Sequence, residues 1–193
     1  MGVRNKQGMK IRALIAICAC AVLALAAAPQ LGAMKVSRLL APVSVCPDQN
    51  DSRASVASQE AAMRCLHSYA RKKAHRGQLD DVGKLDDSAG NKARDILHCG
   101  DFSHYACGRD FLYWFEQLDY VLSGCWRAGE NIAWGNGDYG TVRSIMRSWL
   151  RSPGHRANIL SGSFDQFGVG LRVGSLNGAQ DAHVWAGHFG NHC

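Results

Sequence analysis

The sequence predicts an α+β fold in which helices pack against a small antiparallel sheet. Apolar side chains recur at helical spacing through the first part of the chain, whereas short segments rich in β-branched and aromatic residues follow later. One further amphipathic helix lies between the predicted strands. A chain in which helices come first, strands come mostly later and one helix lies between strands is typical of layered α+β domains.

Three helices are predicted in the first part of the chain. Apolar and small residues fall on one helical face in residues 55–76, and again in residues 86–97, where Asp86 or Asp87 is a candidate N-cap. Residues 80–83 are predicted to end the first helix. An apolar stripe marks the third helix and is typical of a face that packs in the core. Its members are Phe111, Trp114, Phe115 and Leu118.

Residues 126–160 combine a predicted strand with a predicted helix. The apolar run at 132–134 is too short for a helix and is followed by glycines, which predicts a short buried strand with Glu130 at its entrance. From Thr141 the spacing becomes helical, and the apolar side chains on one face predict an amphipathic helix. These side chains are Val142, Ile145, Met146 and Trp149.

A Pro-Gly pair follows this helix. Pro153 and Gly154 are predicted to end the helix and to place His155 on a turn. Residues 167–173 and 183–189 then predict two paired strands that close the sheet.

The first 33 residues have the features of a secretory signal. Four basic residues and no acidic ones accompany an apolar run, and small residues at 26–28 and 31–33 are candidate cleavage sites. Because residues 13–34 carry no charge over 22 positions, an uncleaved membrane anchor is the alternative. The predicted organisation is a signal peptide at 1–33, a tether at 34–53 and a single domain at 54–193.

The charge balance argues against a nucleic-acid-binding protein. The chain has 22 basic and 16 acidic residues, but four of the basic ones lie in the predicted signal, which leaves 18 against 16. So small an excess does not provide the basic face that nucleic acids require. The one basic cluster, residues 71–76, falls at a predicted helix end, where it compensates the helix dipole. A loose affinity for an anionic cell surface is the alternative interpretation of this cluster.

Six cysteines remain after the predicted signal, and in an exported chain they predict three disulfides. We expect the local pairs Cys46 with Cys65 and Cys99 with Cys107, which leaves Cys125 with Cys193, although sequence alone does not fix the connectivity. Two histidines lie close to the second pair, so a zinc site is the alternative there. The spacing of this segment matches no zinc knuckle, and disulfides are the preferred prediction.

Three linked motifs carry a family resemblance. GENIAW lies at 129–134, WLRSPGHRANIL at 149–160 and FGVGL at 167–171. In this order and at this spacing they resemble the bacterial secreted branch of the CAP superfamily, which includes cysteine-rich secretory proteins, antigen 5 and plant pathogenesis-related proteins. The resemblance runs from about Cys46 to Cys193 and implies an α-β-α sandwich with a small antiparallel sheet between helices.

The resemblance also implies a site. In CAP proteins two histidines and two acids line a surface cleft, and by motif the first histidine is His104, the first acid is Glu130 and the second histidine is His155. The second acid normally stands three residues after the tryptophan of the central helix, where this chain has Ser152. Ser152 supplies neither a charged ligand nor a general base.

The remaining set of two histidines and one carboxylate suits Zn²⁺ and leaves a coordination position open. His104, Glu130 and His155 are therefore the candidate metal ligands. The alternative is a cleft without an ion, in which Glu130 and His155 hydrogen-bond to each other and to backbone amides. The histidines of the last predicted strand are expected to form simple hydrogen bonds rather than to extend a metal site. They are His183, His188 and His192.

The predicted function is a secreted binding or interaction module, extracellular or in the cell envelope and stapled by disulfides. Its ligand is unknown; the resemblance suggests a lipid, a sterol or a cell-surface component, and a membrane contact is expected only if the N-terminal segment is uncleaved. We expect a protein that is not an enzyme, because the sequence has no His-Glu-x-x-His or Gly-x-Ser-x-Gly motif. The alternative is a metal-dependent hydrolase of cell-surface material, with Ser152, His155 and Glu130 as a formal Ser-His-Glu set.

Overall fold

The computed structural model describes residues 35–121 and 124–192. These residues belong to one compact unit, which spans Ala33–Cys193. The predicted signal peptide, the alternative anchor at 13–34 and Cys193 lie outside the described residues. Within the described ranges, no helix has the length and apolar character needed to cross a membrane.

The described part of the chain contains six α-helices and four strands. The helices are α1 (Val36–Leu39), α2 (Val56–Lys73), α3 (Gly83–Cys99), α4 (Tyr113–Gln117), α5 (Val142–Arg151) and α6 (Pro153–Leu160). The strands are β1 (Asp80–Asp81), β2 (Trp126–Gly135), β3 (Gln166–Leu176) and β4 (Ala179–His192). Two short 3₁₀ turns lie at Ala106–Gly108 and Gly137–Tyr139.

The four strands form one sheet in the order β1-β3-β4-β2. Strand β4 pairs antiparallel with both β3 and β2, which confirms the predicted antiparallel pairing of the C-terminal strands. Strand β1 was not predicted, and it runs parallel to β3 over only two residues. Residues that were assigned to a helix break therefore also form the far edge of the sheet, while β2 forms the edge beside the candidate site.

The sheet separates two helical layers, which confirms the α-β-α sandwich. Helix α3 packs on the face that presents Ile132, Val184 and Ala186. Helices α2, α5 and α6 cover the other face. On β3, a Cβ at Gly168 or at Gly170 would lie 2.2 Å from backbone atoms of α3, so the helix packs with its main chain directly on the strand.

The central helix α5 has the predicted buried face. Thr141 is its N-cap, and the four predicted apolar side chains are between 0% and 2% exposed. The indole Nε1 of Trp149 donates a hydrogen bond to the Ile132 carbonyl oxygen over 3.2 Å. This bond ties α5 to strand β2, which carries Glu130.

Two helix predictions differ in detail from the structure. Helix α3 begins at Gly83 after Val82, so Asp86 and Asp87 are not its N-cap. Asp86 instead accepts a hydrogen bond from the Val169 backbone over 2.9 Å, and this contact between helix and sheet replaces a local cap. Helix α4 has only five residues, and Phe115 is the buried member of the predicted aromatic stripe.

The described part of the predicted tether packs on the domain, so that prediction was wrong there. Leu39 and Ala41 are fully buried, and Arg143 of α5 donates to the Ala41 carbonyl oxygen over 2.7 Å. Arg71, the first residue of the predicted basic cluster, is also buried and donates to the Ile159 carbonyl oxygen over 2.9 Å. In both cases a long-range partner that no local pattern reveals decides the position of the segment.

Two of the predicted disulfides are present. Cys46 bonds to Cys65 with a Cα–Cα distance of 5.7 Å, and Cys99 bonds to Cys107 with a distance of 5.5 Å. The second pair excludes the alternative of cysteine-ligated zinc in this segment. The predicted bond between Cys125 and Cys193 involves a residue outside the described ranges and stays a prediction.

Candidate functional site

The loop that carries His104 is held at both ends. The Cys99–Cys107 disulfide closes it at the end of α3, where Gly100 adopts a left-handed conformation with φ of 62°. The buried ammonium of Lys92 donates to the His104 carbonyl oxygen over 2.6 Å. The His104 ring is 48% exposed. The half-exposed imidazole therefore lies on a loop whose backbone is fixed by the disulfide and by Lys92 of α3.

Glu130 lies in the middle of β2, not at the entrance of a short strand as predicted. The residue is 7% exposed, and its two carboxylate oxygens have different partners. Oε1 lies 2.5 Å from Nδ1 of His104, and Oε2 lies 2.9 Å from Nε2 of His188. The predicted partners, His155 and backbone amides, are not the groups that hold this carboxylate.

The environment of Glu130 favours its ionised form. Burial alone raises the pKa of the carboxyl group. The hydrogen bonds from His104 and His188 lower this pKa, and so does the positive charge of Lys92. The net pKa lies below the ordinary value for glutamate. An ionised carboxylate accepts hydrogen bonds only, so both imidazoles donate to it through the nitrogens that face it.

His188 is the central buried group of the site. It is fully buried on β4 directly opposite Glu130, because the two residues are cross-strand partners in the antiparallel pair. Its Nδ1 lies 2.8 Å from the Ser88 hydroxyl, and its ring stacks on Phe115 with 4.4 Å between centroids. The prediction that His183, His188 and His192 form simple hydrogen bonds is confirmed, since each has a hydrogen-bonding partner.

His155 lies in the first turn of α6, not on a turn between elements as predicted. Pro153 occupies the first helical position, where its missing N–H costs nothing, so the Pro-Gly pair ends one helix and begins another. The His155 carbonyl oxygen accepts from the buried side chain of Asn131 over 3.1 Å. Asn158 donates in turn to the Asn131 side-chain oxygen over 2.9 Å. These two asparagines fix α6 against β2.

The two candidate histidine ligands interact electrostatically. Burial lowers the pKa of His155, and the charge of His104 lowers it further. Because Glu130 and Asn131 are consecutive in β2, their side chains point to opposite faces of the sheet. The His104 loop therefore meets one side of this edge and α6 meets the other, so the cleft straddles the edge of the sheet.

Ser152 precedes α6 and is held through its backbone. Its backbone N–H donates to Ser148 and Trp149, and its carbonyl oxygen accepts from Arg156. No hydrogen bond within the described ranges joins Ser152 to His155, and Glu130 binds other partners. The formal Ser-His-Glu arrangement is therefore not formed.

The donor set fits a metal through its histidines only. The Nδ1–H of His104 faces Glu130, so Nε2 of the neutral ring keeps a lone pair that could bind a metal, and His155 would be the second imidazole of such a site. Both Glu130 oxygens accept hydrogen bonds, so beside a metal ion this carboxylate would be suited to orient His104 rather than to bind the ion itself. Across residues 35–121 and 124–192, no group of three or more histidine, cysteine, aspartate or glutamate side chains is arranged to hold a metal.

Two grooves on the described part of the chain lie away from the histidines. A groove of about 660 Å³ runs beside α2 and includes Tyr69, Lys72 and Lys73 in its lining. A second one, of about 400 Å³, includes Arg53 and His183. Neither is lined by His104, Glu130 or His155.

Sequence reasoning missed four groups that position the cleft: Ser88, Lys92, Asn131 and Asn158. Ser88 and Lys92 lie on α3 and were regarded as part of an ordinary amphipathic helix. A polar residue and a lysine among alanines on the inward face were the available signal, because lysine is almost never fully buried without a partner.

Comparison with known proteins agrees with this architecture. At 34% identity over 104 residues, the chain is similar to the Bacillus subtilis protein named "Uncharacterized protein YkwD"; the aligned region is 51% of this chain and 36% of that protein. The chain thus spans about a third of the length of this relative.

Solved structures share the fold at low identity. An extracellular SCP-domain protein of Bacillus anthracis matches with a TM-score of 0.55 and 21% identity, over 69% of this chain and 40% of that one. An outer surface protein of Borrelia burgdorferi matches with a TM-score of 0.61 and 16% identity, over 72% of this chain and 96% of that one. A cysteine-rich secretory protein of Staphylococcus aureus matches with a TM-score of 0.53 and 17% identity, over 71% of this chain and 39% of that one.

The family model that matches this chain is described as the CAP family, the cysteine-rich secretory protein family. The match covers residues 47–189, which include the Cys99–Cys107 disulfide, strands β1 to β3, most of β4, and the residues His104, Glu130 and His155. With the sandwich, the motifs and the cleft in place, the chain belongs to the CAP family of cysteine-rich secretory proteins.

Proposed function

We propose that this chain is an exported CAP domain that acts as a binding or interaction module and holds a divalent metal ion, best matched by zinc, between His104 and His155. The observation that carries the proposal is the pairing of His104 with a carboxylate that is itself locked by His188. A histidine whose Nδ1–H is fixed by a carboxylate presents a basic Nε2 outward, which is the usual arrangement of a metal ligand.

Export is supported by the disulfides and by the relatives. Disulfides persist in oxidising compartments, and two link the described part of the chain. The Bacillus anthracis protein is described as extracellular and the Borrelia burgdorferi protein as an outer surface protein. The partner that we expect is a lipid, a sterol or another cell-surface component rather than a nucleic acid, because the charge balance outside the predicted signal is nearly even.

A module accounts for the cleft better than a hydrolase does. A metal-dependent hydrolase needs a group that takes a proton from the attacking water. Glu130 is the nearest carboxylate to His104, and both of its oxygens already accept hydrogen bonds. The position of the family's second acid is Ser152, which offers no base at neutral pH.

Calorimetry and native mass spectrometry of the exported protein test the proposal. We expect one zinc ion per wild-type chain, and loss of zinc binding in His104→Ala and in His155→Ala. The control is His75→Asn, because His75 is exposed just after the C-cap of α2 and has a φ of 53°, a conformation that asparagine tolerates. Absence of zinc heat in the wild type would overturn the metal site. Peptide or ester turnover that chelator abolishes and zinc restores would overturn the module in favour of a hydrolase.

A further inference from the structure

We infer that Ser88 and Lys92 of α3, together with His188 of β4, are positioning residues that fix the orientation and tautomer of His104. Ser88 and Lys92 lie four residues apart and are both buried, so they share one face of the helix. Ser88 acts on the His104 ring through two intermediates, and Lys92 acts on the His104 backbone directly.

The first route is a chain of hydrogen bonds from Ser88 to His104. Glu130 is an acceptor, so the Nε2 atom of His188 that faces it must carry a hydrogen. The opposite nitrogen of the neutral His188 ring is then an acceptor for the Ser88 hydroxyl, 2.8 Å away. With one oxygen held in this way, Glu130 presents its other oxygen to Nδ1–H of His104. The tautomer of each ring in the chain is thus determined by its neighbour.

The second route is the contact of Lys92 with the loop. Its ammonium donates to the His104 carbonyl oxygen over 2.6 Å and is buried beneath the loop. The acidic residues whose charges act on this ammonium are Glu130, Asp95, Asp101 and Asp110. The two routes therefore fix two different points of the same residue, the backbone through Lys92 and the ring through Glu130, and together they set the direction of Nε2.

A purely structural role would not require this chemistry. Well-packed apolar side chains of similar volume avoid the desolvation cost of buried polar and charged groups, so a core that needs only stability does not need a serine, a histidine and a lysine here. Phe115 already supplies apolar packing for the His188 ring, with 4.4 Å between centroids. The polar atoms of these three residues instead form the hydrogen bonds that hold Glu130 and His104 in place.

The test reads the His104 tautomer in metal-free protein by nitrogen-15 and carbon-13 NMR, at a pH above the titration range of histidine. We expect the Nδ1–H tautomer in the wild type and a mixture of tautomers in His188→Leu. In His188→Gln the side-chain amide still donates to Glu130, so the wild-type tautomer should return. The control is Ile145→Ala in α5, which loses core packing without touching the cleft and should keep the wild-type signal.

Zinc affinity is the second readout, and this readout alone rests on the proposed function. His188→Leu and Lys92→Met should each raise the zinc Kd by roughly 10- to 100-fold, as loss of an outer partner of a ligand does, and His188→Gln should restore it. If the wild type binds no zinc, the metal site fails while the tautomer test still decides the positioning role. Should His188→Leu fail to fold, Ser88→Ala and Lys92→Met serve instead. A folded His188→Leu, or a folded Ser88→Ala and Lys92→Met pair, with an unchanged His104 signal would overturn the inference.

Discussion

The imidazole of His67 stacks on the ring of Phe167 with 4.2 Å between centroids, inside the core layer formed by α2 and α5. Its Nδ1 donates to the Met63 carbonyl oxygen over 2.9 Å, whereas Nε2 has no hydrogen-bond partner within the described residues. Burial lowers the pKa of His67 to about 4, with the charges of Arg71 and Arg64 as smaller contributions. The ring is therefore neutral in the folded protein at neutral pH.

His67 makes stability depend on pH. Its pKa is lower in the folded than in the unfolded chain, so between about pH 6.5 and 4 the unfolded chain binds the proton more strongly and the free energy of unfolding falls as the pH falls. The loss should reach about 3 kcal/mol near pH 4. Urea unfolding of the wild type and of His67→Leu over this range checks it. Equal pH slopes in the two proteins would contradict the assignment, because all other groups titrate in both.

Truncation of Trp149 should be among the most costly changes in the core. The side chain is fully buried, and its indole N–H binds the Ile132 carbonyl oxygen. We expect Trp149→Ala to lower the free energy of unfolding by about 3 to 5 kcal/mol. Trp149→Phe keeps most of the packing and loses the hydrogen bond, so its cost should be clearly smaller. Chemical denaturation measures both, and equal costs would show that packing is not the main contribution.

Glu130 should matter for stability with or without metal. Glu130→Ala leaves the buried Nε2–H of His188 without its acceptor, which costs roughly 1 to 3 kcal/mol. His104→Ala removes a half-exposed ring and His155→Ala a partly buried one, so each should leave the metal-free melting temperature within a few degrees of the wild type. Differential scanning calorimetry with and without zinc compares the four proteins. A metal-free Glu130→Ala as stable as the wild type would contradict the role of the buried pair.

Removal of the Cys99–Cys107 disulfide should affect the cleft more than the core. In the loop-entropy model a closure this short contributes about 2.5 kcal/mol, and its loss frees the segment that carries His104. We therefore expect the double variant Cys99→Ala/Cys107→Ala to show weaker zinc binding as well as lower stability. Removal of Cys46–Cys65 is the matched control, because that bond joins α2 to the N-terminal segment. Equal effects of both removals on zinc binding would contradict a local role.

The remaining cysteine pair is tested separately. Peptide mapping of the exported protein should find Cys125 bonded to Cys193. A free thiol in the exported protein would contradict the predicted total of three disulfides.

Features with a local cause were predictable from the sequence. The buried face of α5 follows from apolar spacing alone, and the two local disulfides follow from export and proximity. Pro153 shows the limit of local signals, since proline both ends a helix and occupies the first position of another. The choice between these roles depends on how Asn131 and Asn158 hold α6 against β2.

The partners of Glu130 could not be found in this way. His188 lies 58 residues further along the chain, and the register of β2 against β4 brings the two together. A shift of this register by one residue would turn Glu130 to the opposite face of the sheet. The family motifs located three of the site residues, but only the paired strands show what each of them touches.

Two glycines of β3, Gly168 and Gly170, bear on the cleft from a distance. At Gly168 and Gly170 any added Cβ would collide with the main chain of α3, which carries Ser88 and Lys92. A saturation library scored for zinc binding should therefore find these two glycines as intolerant of substitution as the histidines themselves, although neither glycine touches the cleft. The close approach of β3 to α3 thus sets the position of Ser88 and Lys92. An added methyl group would push α3 away from the sheet and move these two side chains away from His188 and His104.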